Sequence, residues 1–259
     1  MIACRNIYFC SKYTSHLVVL REDRQKPMET TNRFRAVIFD LDGTLLDTLQ
    51  DLTNAVNRTM EAFHFPQFDR KQIRMFVGHG ARHLFECTLP KGVDAQTEKK
   101  CYALFLENYP AQSGETTAPY PGICDVLAAL RTDGIGVAVV SNKPDAATHI
   151  VCKHFFGDLV PYAAGDDGVH PCKPAPDNLY RIMEQMGVAR EDCIYVGDSD
   201  TDIQTARNAG IPCVNVTWGY RTREEIAAAG GILFANTAQE LVDILKKDAD
   251  QIKKMFETA

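Results

Sequence analysis

The sequence predicts an α/β protein: a parallel sheet buried between helices, carrying an inserted all-helical cap. Three observations lead there. Short, continuously apolar runs rich in Val or Ile recur at Arg35 to Asp40, Gly136 to Ser141, Asp192 to Asp198 and Pro212 to Thr217. Helix-length segments separate them, the pattern of strands covered on both faces and joined by right-handed crossovers. The interval from Asp47 to Tyr120 contains no such run, only amphipathic segments.

Residues 1–33 read as an N-terminal extension. Leu17 to Leu20 is too short for a membrane span or a secretory apolar region. Met28 stands just before the first strong strand, which makes it a candidate start and leaves 1–27 as an upstream extension. Residues 34–48 and 119–259 form the expected core, and 49–118 the expected cap. The cap segments are Leu49 to Phe63, Asp69 to Val77, Ala81 to Thr88 and Gln96 to Asn108. A polar stretch, Ser113 to Ala118, ends the insertion, and Pro119-Tyr120-Pro121-Gly122 marks the return to the core. Two linkers flanking an insertion suit a hinged lid. Further on, a helix is expected from about Ile203 to Asn208, closed by Gly210. Glu240 to Phe256 reads as one final amphipathic helix with Lys246, Lys247, Lys253 and Lys254 on a solvated face.

With 45% hydrophobic and 24% charged residues in 259, the chain is neither disordered nor fibrous. Its net charge of −6 and lack of a basic run exclude a nucleic-acid footprint, so a phosphate site has to be built locally. The nine cysteines are odd in number, scattered and never spaced Cys-x-x-Cys, which reads as reduced thiols in a cytoplasmic protein. The expected partner is a small-molecule phosphate ester, with neither nucleic acid nor membrane, for a monomer or homodimer.

Polar groups follow each expected strand. Phe39-Asp40-Leu41-Asp42-Gly43-Thr44 puts two carboxylates at i and i+2, able to share one side of an extended segment, and Gly43 permits a sharp turn that brings amides towards a phosphate. An aspartate attacking a phosphate ester faces charge repulsion, which Mg²⁺ relieves. Asp40 then forms the acyl phosphate, while Asp42 protonates the leaving alkoxide and later deprotonates water. A bare strand-to-turn junction is the other reading of this motif. Ser141 and Asn142 follow the second strand as phosphoryl donors or as a helix cap. Lys173, stiffened by Pro174 and Pro176, is a fixed cation or a surface lysine. Asp198, in Gly197-Asp198-Ser199-Asp200-Thr201-Asp202, is the third metal ligand; Asp202 holds Lys173 or a metal-bound water, or else Thr201 or Asp202 caps a helix.

Together these motifs resemble those of the haloacid dehalogenase (HAD) superfamily over roughly residues 35 to 245. The resemblance implies a Rossmann-like core with a cap inserted after the first motif. It implies Asp40 as nucleophile and Mg²⁺ ligand, and Asp42 as acid/base that binds metal through its backbone carbonyl. Ser141 and Lys173 hold phosphate, with Gly43, Thr44 and Asn142 beside them, and Asp198 completes the metal site. Val77-Gly78-His79-Gly80-Ala81-Arg82, Val140-Ser141-Asn142-Lys143-Pro144, Lys173-Pro174-Ala175-Pro176-Asp177 and Val216-Thr217-Trp218-Gly219-Tyr220 look like bacterial phosphoglycolate phosphatases. That implies hydrolysis of 2-phosphoglycolate to glycolate; Arg82 and the amides opening its helix are the candidate carboxylate reader, and a glycine-rich turn with an exposed arginine is the other reading of Gly78 to Arg82. Pyrophosphatases, sugar-phosphate phosphatases and β-phosphoglucomutase-like mutases share several of these cues. A phospho-accepting signalling module would be about half this length and would need no lid.

Overall fold

The computed structural model describes residues 32–112 and 116–257. The expected extension therefore lies almost wholly outside the described residues, Met28 included, as do 113–115 of the polar stretch. In chain order, β1 (Ala36–Phe39) and β2 (Leu46–Asp47) lead into four helices, α1 (Leu49–Ala62), α2 (Arg70–Phe76), α3 (Ala81–Thr88) and α4 (Ala95–Gln112). Then follow β3 (Ala118–Pro119), α5 (Ile123–Thr132), β4 (Gly136–Pro144), α6 (Asp145–Phe156), β5 (Tyr162–Asp166), α7 (Asp177–Met186), β6 (Cys193–Gly197) and α8 (Asp200–Ala209). The chain ends with β7 (Cys213–Val216), α9 (Arg223–Ala228), β8 (Phe234–Ala235), α10 (Ala238–Leu245) and α11 (Ala249–Glu257).

Six strands form one parallel sheet in the order β5-β4-β1-β6-β7-β8. β1 sits inside it, with Ala36 opposite Gly136 on one side and Cys193 on the other. Strand alternation divides its side chains between two cores. Val37 and Phe39 pack with Ile123, Leu127, Leu241 and Ile252 on one face; Ala36 and Ile38 pack with Leu179, Ile182, Ala206 and Ala209 on the other. A helix layer on each face is why these strands carry no polar alternation.

The helices α1 to α4 form the cap, with a core of their own around Leu52, Val56, Ile73, Phe85 and Phe105. Rings stack through it: Phe85 lies 5.5 Å from Phe105, which lies 5.3 Å from Tyr109. The linkers are joined, since β2 and β3 pair antiparallel, Leu46 opposite Pro119. This short ribbon ties cap to core at one edge. Among the described residues the cysteines, Cys87 to Cys213, form no disulfide. Among the described residues no helix is long and apolar enough to cross a membrane.

Several elements differ from expectation. β5 and β8 are additional strands; Tyr162-Ala163-Ala164-Gly165-Asp166 lacks Val and Ile because its backbone must come close to α6, where a Cβ on Gly165 would lie 2.5 Å from Asp145 Cα. The expected single C-terminal helix is two. Lys246 closes α10, and Asp248 Oδ1 accepts from the amides of Asp250 and Gln251, starting α11 afresh. Finally, α8 begins at Asp200 rather than near Ile203, because Ser199 is its N-cap and Asp202 closes a capping box.

Candidate active site

The parallel strands place their carboxyl ends on one edge, where open α/β sheets bind ligands. Asp40 follows β1, Ser141 to Lys143 lie in β4, Asp198 follows β6, and Lys173 comes from the loop after β5. All of them line one cavity. Its other wall is the cap: Leu52, Val77, Gly78, Gly80, Ala81, Leu84 and Tyr109.

At the floor, Lys173 Nζ lies 2.6 Å from Asp40 Oδ1, 2.8 Å from Asp202 Oδ1 and 3.1 Å from Tyr195 Oη. Its side chain is 3% exposed, and Asp202's 1%. Burial opposes the ammonium charge, but Asp202 and then Asp40 outweigh it and hold Lys173 well above its ordinary range. Asp202 Oδ2 accepts from the amides of Asp198 and Ser199 at 3.1 Å and from Ser199 Oγ at 2.6 Å. Asp202 is thus the lysine anchor; the N-cap is Ser199 and not Thr201 or Asp202, which lie within the first turn of α8.

Asp198 is fixed from three sides. Tyr220 N donates to its Oδ2 at 2.6 Å and Thr44 Oγ1 to its Oδ1 at 3.1 Å. Gly43, at φ +95°, supplies the third, since a Cβ there would sit 2.5 Å from Asp198 Oδ2. Thr44 Oγ1 also approaches Asp40 Oδ2 at 3.4 Å. Gly43 and Thr44 therefore shape the carboxylates in this structure.

Asp40, Asp198 and Asp202 each offer a carboxylate oxygen within 4.8 Å of the others, all buried. Three carboxylates against one ammonium leave two negative charges in excess. Burial, then the Asp202 charge, push Asp198 up to about 7; burial first, with Asp202 and Asp198 adding to it, also raises Asp40 well above the carboxylate range despite Lys173. The donor set is all oxygen and doubly over-charged, which fits a hard divalent cation such as Mg²⁺. Asp202 has spent its oxygens on Lys173 and α8, leaving Asp40 and Asp198 as the side chains that would hold the ion. Asp42's side chain points elsewhere, which leaves its backbone carbonyl as the expected contribution.

Asp42 instead meets Lys143, whose Nζ lies 3.2 Å from each carboxylate oxygen and 2.8 Å from Tyr109 Oη. The sequence reading gave Lys143 no role. Its signal was there: it stands two residues after Ser141 on a strand that continues to Pro144, and so shares Ser141's face. Asn142 departs from its expected part as a phosphate donor. Its amide donates to Gly78 and Lys173 carbonyls and accepts from Lys173 N at 2.8 Å, fastening the lysine loop and the cap turn.

Arg82 requires the larger correction. It lies on the exposed side of α3, bonded to Glu86 at 2.7 Å and Glu98 at 2.5 Å, with its guanidinium 4.9 Å from the Tyr102 ring centre. Glu86, one helical turn away, and Glu98 on α4 draw it off the cavity, which it does not line. The arginine at the cavity is Arg221, which donates to the carbonyls of Arg74 and Val77 at the end of α2.

The family model for haloacid dehalogenase-like hydrolases matches residues 37–216. Phosphoglycolate phosphatase 1 of Pseudomonas aeruginosa is 32% identical over 231 residues, covering 87% of this chain and 85% of that protein. A phosphoglycolate phosphatase of Pseudomonas putida is 35% identical over 214 residues, covering 80% and 78%. Among solved structures, a predicted phosphoglycolate phosphatase from Haemophilus somnus gives a TM-score of 0.77 at 26% identity, over 82% of this chain and 97% of that one. CbbY of Rhodobacter sphaeroides in complex with phosphate gives 0.70 at 27%, over 80% and 96%. Fold, motifs and relatives agree, and the chain belongs to the haloacid dehalogenase-like hydrolases as a phosphatase.

Proposed function

We propose that this phosphatase is a Mg²⁺-dependent phosphomonoesterase that works through a phospho-aspartyl intermediate on Asp40, with 2-phosphoglycolate as substrate and glycolate as product. The observation that carries the mechanism is the Asp40 carboxylate, buried at the end of β1 and held at 2.6 Å by Lys173, with Asp42 two residues on at the same cavity. The substrate class is supported by the phosphoglycolate phosphatases among the relatives.

Bound by Asp40, Asp198 and the Asp42 carbonyl, Mg²⁺ would supply the positive charge that lets a carboxylate and a phosphate dianion share the floor. Lys173, immobilised by Asp202, and Ser141 hold phosphoryl oxygens. Thr44 aligns the free face of Asp40. An Asp40 oxygen attacks phosphorus as the ester P–O bond breaks, and the Asp42 carboxyl gives its proton to the departing oxygen. Asp42, now a carboxylate, takes a proton from the water that hydrolyses the acyl phosphate, which regenerates both aspartates and releases inorganic phosphate. The cap keeps bulk water from competing while the ester is in place.

The test is phosphate release from 2-phosphoglycolate, sugar phosphates and pyrophosphate, with Mg²⁺ and with EDTA, for the natural chain and Asp40→Asn. Preference for 2-phosphoglycolate, lost with EDTA and reduced by at least about 1,000-fold in Asp40→Asn, is the expected result. Activity centred on another ester would keep the mechanism and replace the substrate. Activity indifferent to Asp40 would remove the mechanism.

A further inference from the structure

The cavity is lined by three cations: Lys143, Lys173 and Arg221. Lys173 is held by Asp40 and Asp202 at the phosphoryl end. Arg221 is committed to the carbonyls of Arg74 and Val77 and faces Asp200 at 3.6 Å. Lys143 differs from both. Its side chain is 2% exposed, its Nζ sits 4.5 Å from the Tyr109 ring centre, and its charged partner is Asp42, the proposed acid.

We propose that Lys143 recognises the substrate's carboxylate, its ammonium lying between that carboxylate and Asp42. The inference rests on the 2-phosphoglycolate reading and deepens it. In that molecule the carboxylate is attached to the carbon that bears the ester oxygen, so an acid near enough to protonate the oxygen is also close to the carboxylate. Two like charges there need a cation between them, and a dry wall raises the cost of leaving them without one. Lys143 already occupies that place. Its second partner, Tyr109, comes from α4 of the cap, so the ammonium is fixed from both cap and core. An ester without a carboxylate gives Lys143 nothing to bind beyond Asp42 and Tyr109. Selectivity then comes from a buried cation that only a carboxylated ester pairs, which is how a small polar difference is turned into a large rate ratio.

The experiment compares kcat and KM for 2-phosphoglycolate and for ethyl phosphate, its counterpart without the carboxylate, in the full chain with Mg²⁺, for the natural protein, Lys143→Met and Lys143→Arg. The ratio of kcat/KM between the two esters is expected to fall by about 100-fold in Lys143→Met, with both kcat and KM affected on 2-phosphoglycolate. Lys143→Arg, which keeps the charge, is expected to recover at least about a tenth of the natural ratio. Equal losses on both esters, with the ratio kept, would overturn the role of Lys143 and leave the substrate reading intact. A natural protein that does not prefer 2-phosphoglycolate over ethyl phosphate would overturn the substrate reading and this inference with it.

Discussion

Gly43 shows how tightly the site is specified at the level of single residues. Its φ of +95° disfavours a side chain, and the space where a Cβ would go holds the Asp198 carboxylate. Gly43→Ala is therefore expected to displace Asp198, at a strain of about 1–3 kcal/mol, and to raise the Mg²⁺ concentration for half-maximal activity about 10–100-fold. Trp218, the single tryptophan, donates to the Thr44 carbonyl at 3.0 Å, so its fluorescence gives a metal titration independent of turnover. Unchanged titrations would mean that Asp198 does not hold the ion. The positions of Asp40, Asp42 and Asp198 were legible in the sequence because they follow apolar runs, and a strand's end fixes where the next side chain goes; Lys173 was legible from the prolines that stiffen the chain beside it. Arg82 was not, because its long side chain on a helix surface has several directions open to it, and Glu86 and Glu98 decide among them only once the helices have packed. Lys143 was hidden for a related reason: its importance lies in Asp42 and Tyr109, which are distant in sequence and meet it only in the fold.

Elements carry the next level of organisation, and α8 is the clearest case. Ser199 starts the helix through its side chain and gives Asp202 Oδ2 a hydrogen bond of 2.6 Å, so one serine both caps α8 and aligns the anchor of Lys173. Ser199→Ala is expected to cost about 1 kcal/mol, the usual loss of an N-cap, and to lower Tm by about 2–4 °C. Its activity should fall further than that stability loss explains, through Lys173; calorimetry beside kinetics separates the two. At the other wall, Arg221 closes the end of α2 by donating to two of its carbonyls. Arg221→Ala should loosen the cap and raise KM about 10-fold, with kcat changing too, as hinge and lid substitutions do; unchanged kinetics would show that these bonds do not hold the lid. Helix boundaries in the cap were readable from periodicity because each helix buries one stripe against a shared core. β5 was not, since its Ala and Gly answer to the proximity of α6 and not to strand propensity. Asp248, which divides the last helices, was a readable N-cap overlooked within an otherwise continuous apolar period.

At the scale of the whole molecule, the fold collects negative charge where it is least welcome, and a bound cation would make that tolerable. The sheet brings Asp40 and Asp198 together from β1 and β6, while α8 adds Asp202, and one lysine answers three carboxylates. This has a consequence for stability as a function of pH. Burial, then Asp202, raise Asp198 from an ordinary 3.8 to about 7, so the folded protein binds a proton there that the unfolded chain gives up. Stability follows the difference in bound protons, so the contribution of Asp198 is retained below 3.8 and lost as pH rises from there to about 7. Metal-free protein should accordingly melt at a lower temperature at pH 7.5 than at pH 5.5, and Asp198→Asn should flatten that slope because it has no proton to lose. Mg²⁺ in the proposed site would bind the charged form, so it should restore what neutral pH removes: at 100 times its Kd it would add about 2.7 kcal/mol, or about 5–10 °C in Tm for a chain of this size. Thermal melts of the natural protein and Asp198→Asn at the two pH values, each with and without Mg²⁺, contain the whole test. A natural protein whose Tm rises with pH and ignores Mg²⁺ would show that the three carboxylates are balanced within the fold; a fall reversed by Mg²⁺ only while Asp198 is present would show that the metal completes the fold at the same atoms through which it serves the chemistry.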